Sequence, residues 1–173
     1  MVIALDMSGS MSGLKKFGIS KIIMKSILQT FYQNDFFNII YFNETINFAI
    51  PCAKSLIQAT PLNKNLMMGA ITELTKHTPG GLSNAVKGLT TAFRILNKNN
   101  KNFLDSSNCN KVIMLISDGI GNNEEIDEVI RKYNADCSVV VFSFIVGDDV
   151  KNGLRKIACD NGVKFYSFKT LGM

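Results

Sequence analysis

The sequence predicts an α/β fold with a doubly wound, mostly parallel sheet, one antiparallel edge strand and helices on both faces. Three observations predict it. Short apolar runs rich in β-branched or aromatic residues alternate with amphipathic stretches, and turn residues separate the two kinds of segment. At one place in the chain, two apolar runs follow each other with no amphipathic stretch between them. Continuous apolar runs are typical of strands buried on both faces, and strand–helix alternation favours parallel pairing through right-handed crossovers.

The first strand and helix lie at the beginning of the chain. The run VIAL at 2–5 has the composition of a buried strand, and apolar side chains recur at helical spacing over 14–31. FFNIIYF at 36–42 then predicts the second strand. Together these segments predict a parallel strand–helix–strand unit.

A hairpin follows the second strand. The run INFAI at 46–50 comes almost at once, across Asn43 and Glu44. This connection is too short for a helical crossover, so the two strands are expected to pair antiparallel at the edge of the sheet.

The chain from residue 65 onward continues the alternation. It contains three amphipathic stretches, two further apolar runs and an Asn-rich loop between the second of these helices and the strand that follows it. In order these are NLMMGAITELTKH (65–77), SNAVKGLTTAFRIL (83–96), the loop NKNNKN (97–102), VIMLIS (112–117), EEIDEVIRKY (124–133) and SVVVFSFIVG (138–147).

Length and composition predict one domain over residues 1–173. The chain is 46% hydrophobic, enough for one core. It opens inside a strand, so we expect a domain excised from a longer chain, and without a run of roughly 18 apolar residues we expect no membrane insertion by this domain. The net charge is +5, but the lysines are scattered and do not interleave with aromatics. This pattern argues against nucleic-acid binding.

Polar oxygens are expected to gather at one edge of the sheet. Asp6, Ser8 and Ser10 follow the first strand, Asp118 follows VIMLIS, and Ser83 lies in the loop TPGGLSN. Carboxylates and hydroxyls without a thiol or imidazole suit a hard cation, Mg²⁺ above all, with Ca²⁺ or Mn²⁺ as substitutes. The alternative is loop capping, with Ser12 or Ser10 capping the first helix, Ser83 capping another helix and Asp118 forming an Asx-turn.

This pattern resembles the metal-ion-dependent adhesion site of von Willebrand factor A domains, a Rossmann-like family. The resemblance spans the whole chain and rests on Asp6-x-Ser8-x-Ser10, a hydroxyl after Gly-Gly, and Asp118-Gly after a later strand. It implies that Ser8 and Ser10 are direct ligands, with the two aspartates in the coordination sphere, often through water. Ser83 stands where the family usually has Thr.

A narrower resemblance is to the A domain of alpha-2-delta auxiliary subunits of voltage-gated calcium channels. It rests on segments outside the metal set: NDFFNIIYFNE, PC followed by LIQA, CNKVIMLISDG, RKYN, VFSFIVG and AC-N-G. The resemblance implies an extracellular, cell-surface domain of a membrane-anchored or secreted protein. It also implies that the bound cation contacts an acidic residue of a protein partner, namely the extracellular face of a calcium-channel pore subunit.

Other function classes remain as alternatives. An A-domain adhesin, or an intracellular A-domain scaffold with reduced thiols, would share the fold and the site. A Mg²⁺-dependent hydrolase or phosphotransferase is disfavoured, because the sequence shows no Gly-rich phosphate loop with Lys-Ser/Thr and no nucleophile–base pair. We therefore expect a binding module and not an enzyme.

The cysteines and one sequon carry further expectations. The alpha-2-delta resemblance implies an oxidising compartment. Cys109 and Cys137 each precede a strand, and these strands should be parallel neighbours, so the two are disulfide candidates at the usual separation of about 5–6 Å between Cα atoms; two reduced thiols are the alternative. A disulfide joins the alpha-2 and delta parts in the resembled family, so the resemblance also implies that Cys52 or Cys159 pairs with a segment outside this one. Asn43-Glu44-Thr45 makes Asn43 a glycosylation candidate, although an Asn-rich chain produces sequons by chance.

Overall fold

The computed structural model describes residues 1–97, 110–119 and 123–147, together with the backbone of 164–168. The strands are β1 (Val2–Asp6), β2 (Phe36–Phe42), β3 (Ile46–Phe48), β4 (Ile57–Gln58), β5 (Lys111–Ser117), β6 (Val139–Val146) and β7 (Lys164–Phe168). The helices are α1 (Leu14–Thr30), α2 (Pro61–Glu73), α3 (Ala85–Asn97) and α4 (Asn123–Tyr133), with short 3-10 turns at Gly9–Ser12 and Leu74–Lys76.

The sheet has the strand order β3-β2-β1-β5-β6-β7. Strands β2, β1, β5, β6 and β7 pair in parallel, and β3 pairs antiparallel with β2 at one edge. The predicted fold class is therefore confirmed. Because β1 lies between β2 and β5, the loops that follow these parallel strands meet at one edge of the sheet.

Helices cover both faces of the sheet. Val2 and Ala4 pack with residues of α3 and α4 on one face, and Ile3 and Leu5 pack with residues of α1 and α2 on the other. All four strand residues are fully buried. Alternate side chains of β1 thus enter opposite cores, which explains why the strand is apolar throughout.

Two short strands were not predicted. β4 is a two-residue segment paired antiparallel with the start of β2, and β7 extends the sheet beyond β6. Two residues are too few to show a period. The β7 segment KFYSF mixes polar and aromatic residues, so pairing with β6, and not its own hydrophobicity, places it in the sheet.

Two helix starts differ from the prediction by two residues or more. α2 begins at Pro61 and not at 65, because Thr60 accepts a hydrogen bond from the Asn63 amide and proline occupies the first helical position. α3 begins at Ala85, so Ser83 stays in the preceding loop. The later start of α3 leaves Ser83 outside the helix, on a loop that contacts the loop after β1.

The helices are short. α1, the longest of those described, has 17 residues. In the described part of the chain, no helix has both the length and the apolar character needed to cross a membrane.

Candidate metal centre

The floor of the candidate site is the loop after β1. Asp6 ends the strand, and its Oδ1 atom accepts a hydrogen bond of 2.8 Å from the Ser8 amide. Asp6 is fully buried and Ser8 is nearly so. The 3-10 turn Gly9–Ser12 then carries Ser10 to the surface. One carboxylate and two hydroxyls are thereby held within a single turn of chain.

The loop before α3 closes on this turn. The Gly80 amide donates to the Met7 carbonyl at 2.9 Å, and the Gly9 amide donates to the Gly81 carbonyl at 3.0 Å. Gly81 has φ 77°, a left-handed conformation that favours glycine. The loop places the Ser83 hydroxyl 2.8 Å from Asp6 Oδ2, to which it donates.

The loop after β5 completes the arrangement. The parallel register aligns Leu5 with Ile116, which brings Asp118 beside the first loop. Asp118 Oδ1 accepts a hydrogen bond of 2.8 Å from Ser10 Oγ, and Ser10 Oγ lies 3.1 Å from Ser8 Oγ. The five residues singled out from the sequence therefore lie together in one hydrogen-bonded network.

The donor set fits a small hard cation. Adjacent oxygens in the network are separated by 2.8 to 3.1 Å, and adjacent corners of an octahedron around Mg²⁺ are about 3 Å apart. Asp6 and Ser8 form a buried floor, whereas Ser10 and Ser83 are exposed at the mouth. Within the described ranges, no three His, Cys, Asp or Glu side chains converge on a possible metal site.

Sequence reasoning missed Ser117. Its buried hydroxyl lies 2.8 Å from Asp6 Oδ2 and accepts a hydrogen bond from the Gly119 amide. Asp6 Oδ2 therefore lies within hydrogen-bonding distance of two serine hydroxyls, those of Ser83 and Ser117. No local sequence signal could have found it, because its position level with Asp6 follows from the strand register, in which Leu5 lies opposite Ile116.

The β2–β3 turn fastens the Ser83 loop. Asn43 Nδ2 donates to the Gly80 carbonyl at 3.1 Å, and Glu44 Oε1 accepts from the Leu82 amide at 3.1 Å. Asn43 is half-buried, and its Oδ1 accepts from the Thr45 amide. Glycosylation of Asn43 stays a prediction, and a glycan on Nδ2 would compete with the contact to Gly80.

A lysine reaches the mouth of the site. Lys16 Nζ lies 2.8 Å from Asp118 Oδ2 and donates to the Ser10 carbonyl at 3.3 Å. No sequence pattern indicated this contact, because the two side chains are far apart along the chain.

The disulfide prediction remains open. Cys137 is exposed in the turn before β6, and Cys52 is also exposed; neither is disulfide-bonded among the described residues. Cys109 and Cys159 lie outside the described residues. The strands that follow Cys109 and Cys137 are parallel neighbours, as the prediction assumed, with Lys111 opposite Val139. The pairing itself stays a prediction.

The doubly wound sheet, with candidate metal ligands on the loops at one edge, corresponds to a known domain family. A family model for the von Willebrand factor type A domain matches residues 1–172. The chain belongs to this family, so the predicted resemblance is confirmed.

Curated relatives of this chain include calcium-channel subunits. Voltage-dependent calcium channel subunit alpha-2/delta-4 of Homo sapiens is 37% identical over 175 residues, which cover 99% of this chain and 15% of the relative. Subunit alpha-2/delta-3 of Homo sapiens is 36% identical with the same coverage. The narrower resemblance to alpha-2/delta subunits is thus confirmed as well, and the chain spans about 15% of the length of these relatives.

Solved structures share the fold at lower identity. A von Willebrand factor type A protein from Catenulispora acidiphila has a TM-score of 0.79 at 21% identity, over 96% of this chain and 38% of that one. Manganese-loaded TRAP from Plasmodium vivax has a TM-score of 0.73 at 17% identity, over 97% and 67%. Mussel byssus proximal thread matrix protein 1, with a zinc-occupied MIDAS motif, has 0.66 at 19%, over 98% and 43%.

Proposed function

We propose that residues 1–173 form one cation-binding domain of an alpha-2/delta-type calcium-channel subunit, and that it binds an acidic residue of a partner through the cation. The observation that carries the proposal is the convergence of Asp6, Ser8, Ser10, Ser83 and Asp118, with neighbouring oxygens 2.8 to 3.1 Å apart. Mg²⁺ is the cation that best suits this set, with Mn²⁺ or Ca²⁺ as substitutes.

Each residue has a distinct part in this proposal. Ser8, Ser10 and Ser83 would offer neutral hydroxyl oxygens to the cation, with the aspartates as its anionic partners. Asp6 is buried and fixes the orientation of the Ser83 hydroxyl. Bound there, a cation would supply a positive charge that a partner carboxylate could neutralise. The function is therefore binding and not catalysis.

The mouth of the site suits contact with a protein surface. Ser10 and Ser83 are exposed, and Leu82, beside Ser83, is 76% exposed. An apolar side chain next to a cation can pack against a partner while a carboxylate of that partner reaches the metal. The alpha-2/delta relationship supports the extracellular face of a calcium-channel pore subunit as the proposed partner, and we propose an extracellular position for the domain with it.

Partner binding in Mg²⁺ and in chelator tests the proposal. The double variant Ser8→Ala/Ser10→Ala removes two hydroxyls and leaves the buried Asp6 in place. Ser12→Ala is the matched control, because Ser12 lies in the same 3-10 turn and is exposed. We expect the wild type and Ser12→Ala to bind the pore subunit in Mg²⁺ and to lose binding in chelator, and the double variant to bind in neither.

Salt dependence separates this contact from simple charge attraction. A contact through scattered lysines should weaken gradually as ionic strength rises, whereas a metal–carboxylate bond should be lost abruptly on chelation. Equal affinity of all three proteins with and without chelator would contradict the proposed mechanism.

A further inference from the structure

We propose that Lys16 is a built-in competitor of the divalent cation: its ammonium group neutralises the mouth of the site when no cation is bound and lowers the affinity for one. This inference rests on the proposed function of the same site. It concerns how tightly this particular chain holds its cation.

The ammonium group shares a carboxylate with a candidate ligand. Lys16 Nζ lies 2.8 Å from Asp118 Oδ2, while Asp118 Oδ1 accepts from Ser10 Oγ at 2.8 Å. Lys16 Nζ also donates to the Ser10 carbonyl at 3.3 Å. The lysine charge therefore lies next to both Asp118 and Ser10, two of the residues proposed to surround the cation.

The Asp118 end of the Lys16–Asp118 ion pair is largely shielded from solvent. The side chain of Asp118 is 8% exposed, against 34% for that of Lys16. Water screens such a pair less than it screens a fully exposed one, so the lysine charge acts more strongly on this site than an ordinary surface lysine would.

The fold leaves room for the lysine stem. Gly147 follows β6 with φ 134°, and a Cβ atom at this position would lie 3.2 Å from Lys16 Cε. The stem therefore passes beside a residue that has no side chain. The Lys16 side chain thus extends from α1 to the residues that follow β5 and β6, a placement more defined than that of a lysine free in solvent.

Competition follows from charge. A divalent cation must either bind beside the fixed ammonium group or displace it from Asp118, and each alternative lowers the net affinity. Without a cation, the same ammonium group offsets the repulsion between the carboxylates of Asp118 and the buried Asp6. Lys16 should therefore act in opposite directions on the stability of the cation-free protein and on cation affinity.

Mg²⁺ titration calorimetry and thermal melting in chelator test both effects. Lys16→Met keeps most of the stem and removes the charge, and we expect about a tenfold lower Kd for Mg²⁺ together with a lower melting temperature in chelator. Lys15→Met is the matched control, because it makes the same change in net charge at an exposed neighbouring position. We expect it to leave both quantities near wild type, as should Lys16→Arg, which retains the charge.

The outcomes separate the two proposals. Binding of Mg²⁺ by Lys16→Met with wild-type or weaker affinity would overturn the competition and leave the cation site standing. Equal tightening by Lys15→Met and Lys16→Met would assign the effect to net charge and also overturn it. Absence of Mg²⁺ binding in the wild type and in all variants would overturn both proposals. Lys16→Gln provides the same comparison if Lys16→Met does not fold.

Discussion

At the residue scale, Asp6 has a structural role as well as a proposed metal-binding one. Its fully buried carboxylate accepts from the Ser8 amide and the Ser83 hydroxyl, and it lies within hydrogen-bonding distance of Ser117 Oγ. Removing it would leave the buried Ser8 amide without its acceptor, at about 1–3 kcal/mol for a buried donor left unsatisfied, and would also remove one partner of the Ser117 and Ser83 hydroxyls. Variants that test the cation should therefore change the serines or Asp118 and leave Asp6 in place.

Ser83 offers the most direct test of a single ligand. Ser83→Ala removes a hydroxyl that donates to Asp6, and we expect Mg²⁺ affinity to fall by about tenfold, equivalent to losing one charge-assisted contact of about 1.5 kcal/mol. Ser83→Thr should keep or raise the affinity, because the hydroxyl remains, the added methyl stiffens its rotamer and the exposed position has room for it. Titration calorimetry measures both, and an unchanged Kd for Ser83→Ala would remove this residue from the site.

At the element scale, α3 packs on β2 next to the candidate metal site. A Cβ atom at Gly88 would lie 2.6 Å from Cδ1 of the fully buried Phe42. Phe42 is paired with Asp6 in the sheet, and its carbonyl accepts from the Met7 amide. The small residue in the helix therefore sets how closely α3 approaches the strand next to the candidate metal loop.

Two glycine-to-alanine substitutions in helices should change the free energy of unfolding in opposite directions. Gly88→Ala should lower the free energy of unfolding by about 1–3 kcal/mol, because the added methyl must displace a buried ring. Gly69→Ala in α2 should raise it by about 0.5–1 kcal/mol, because no heavy atom lies within 4 Å of a Cβ there and alanine favours the helix. Urea unfolding of both variants measures these changes, and stabilisation by Gly88→Ala would contradict the close packing of Gly88 on Phe42.

At the scale of the whole molecule, cation binding should be linked to folding. The candidate ligands lie on three loops that only the folded sheet brings together, Asp6–Ser10, the loop with Ser83 and the loop with Asp118. A ligand that binds only the native state stabilises it by about 2.7 kcal/mol at a hundredfold excess over its Kd. For a domain of this size, such a gain corresponds to roughly 5–10 °C in melting temperature.

Millimolar Mg²⁺ should therefore raise the melting temperature of the wild type, and chelator should reverse the rise. Asp118→Ala should abolish it, since this change removes one of the two candidate carboxylates. Differential scanning calorimetry in matched ionic strength measures the shift. A full response from Asp118→Ala would exclude Asp118 from the cation site.

The sequence by itself determined most of the architecture. Buried parallel strands are apolar without interruption, and a helix buries one face at a regular spacing, so both leave local patterns that can be read directly. Asp6, Ser8, Ser10 and Asp118 could be grouped from the sequence because the ends of parallel strands must share one edge. Ser83 follows no strand and joined this group as the hydroxyl of the Gly-Gly loop before α3. Strand β4 and the exact start of α3 could not, because two residues show no period and a helix boundary depends on local capping.

Only the tertiary structure decided which other side chains surround this group. Ser117 reaches Asp6 from 111 residues away, Lys16 reaches Asp118 from 102, and Glu44 reaches the Leu82 amide from 38. None of these contacts follows from composition or periodicity, because each depends on strand order, register and the path of a loop. Serines, lysines and glutamates are also common on solvated surfaces, so their roles become visible only when the fold sets them beside a buried carboxylate.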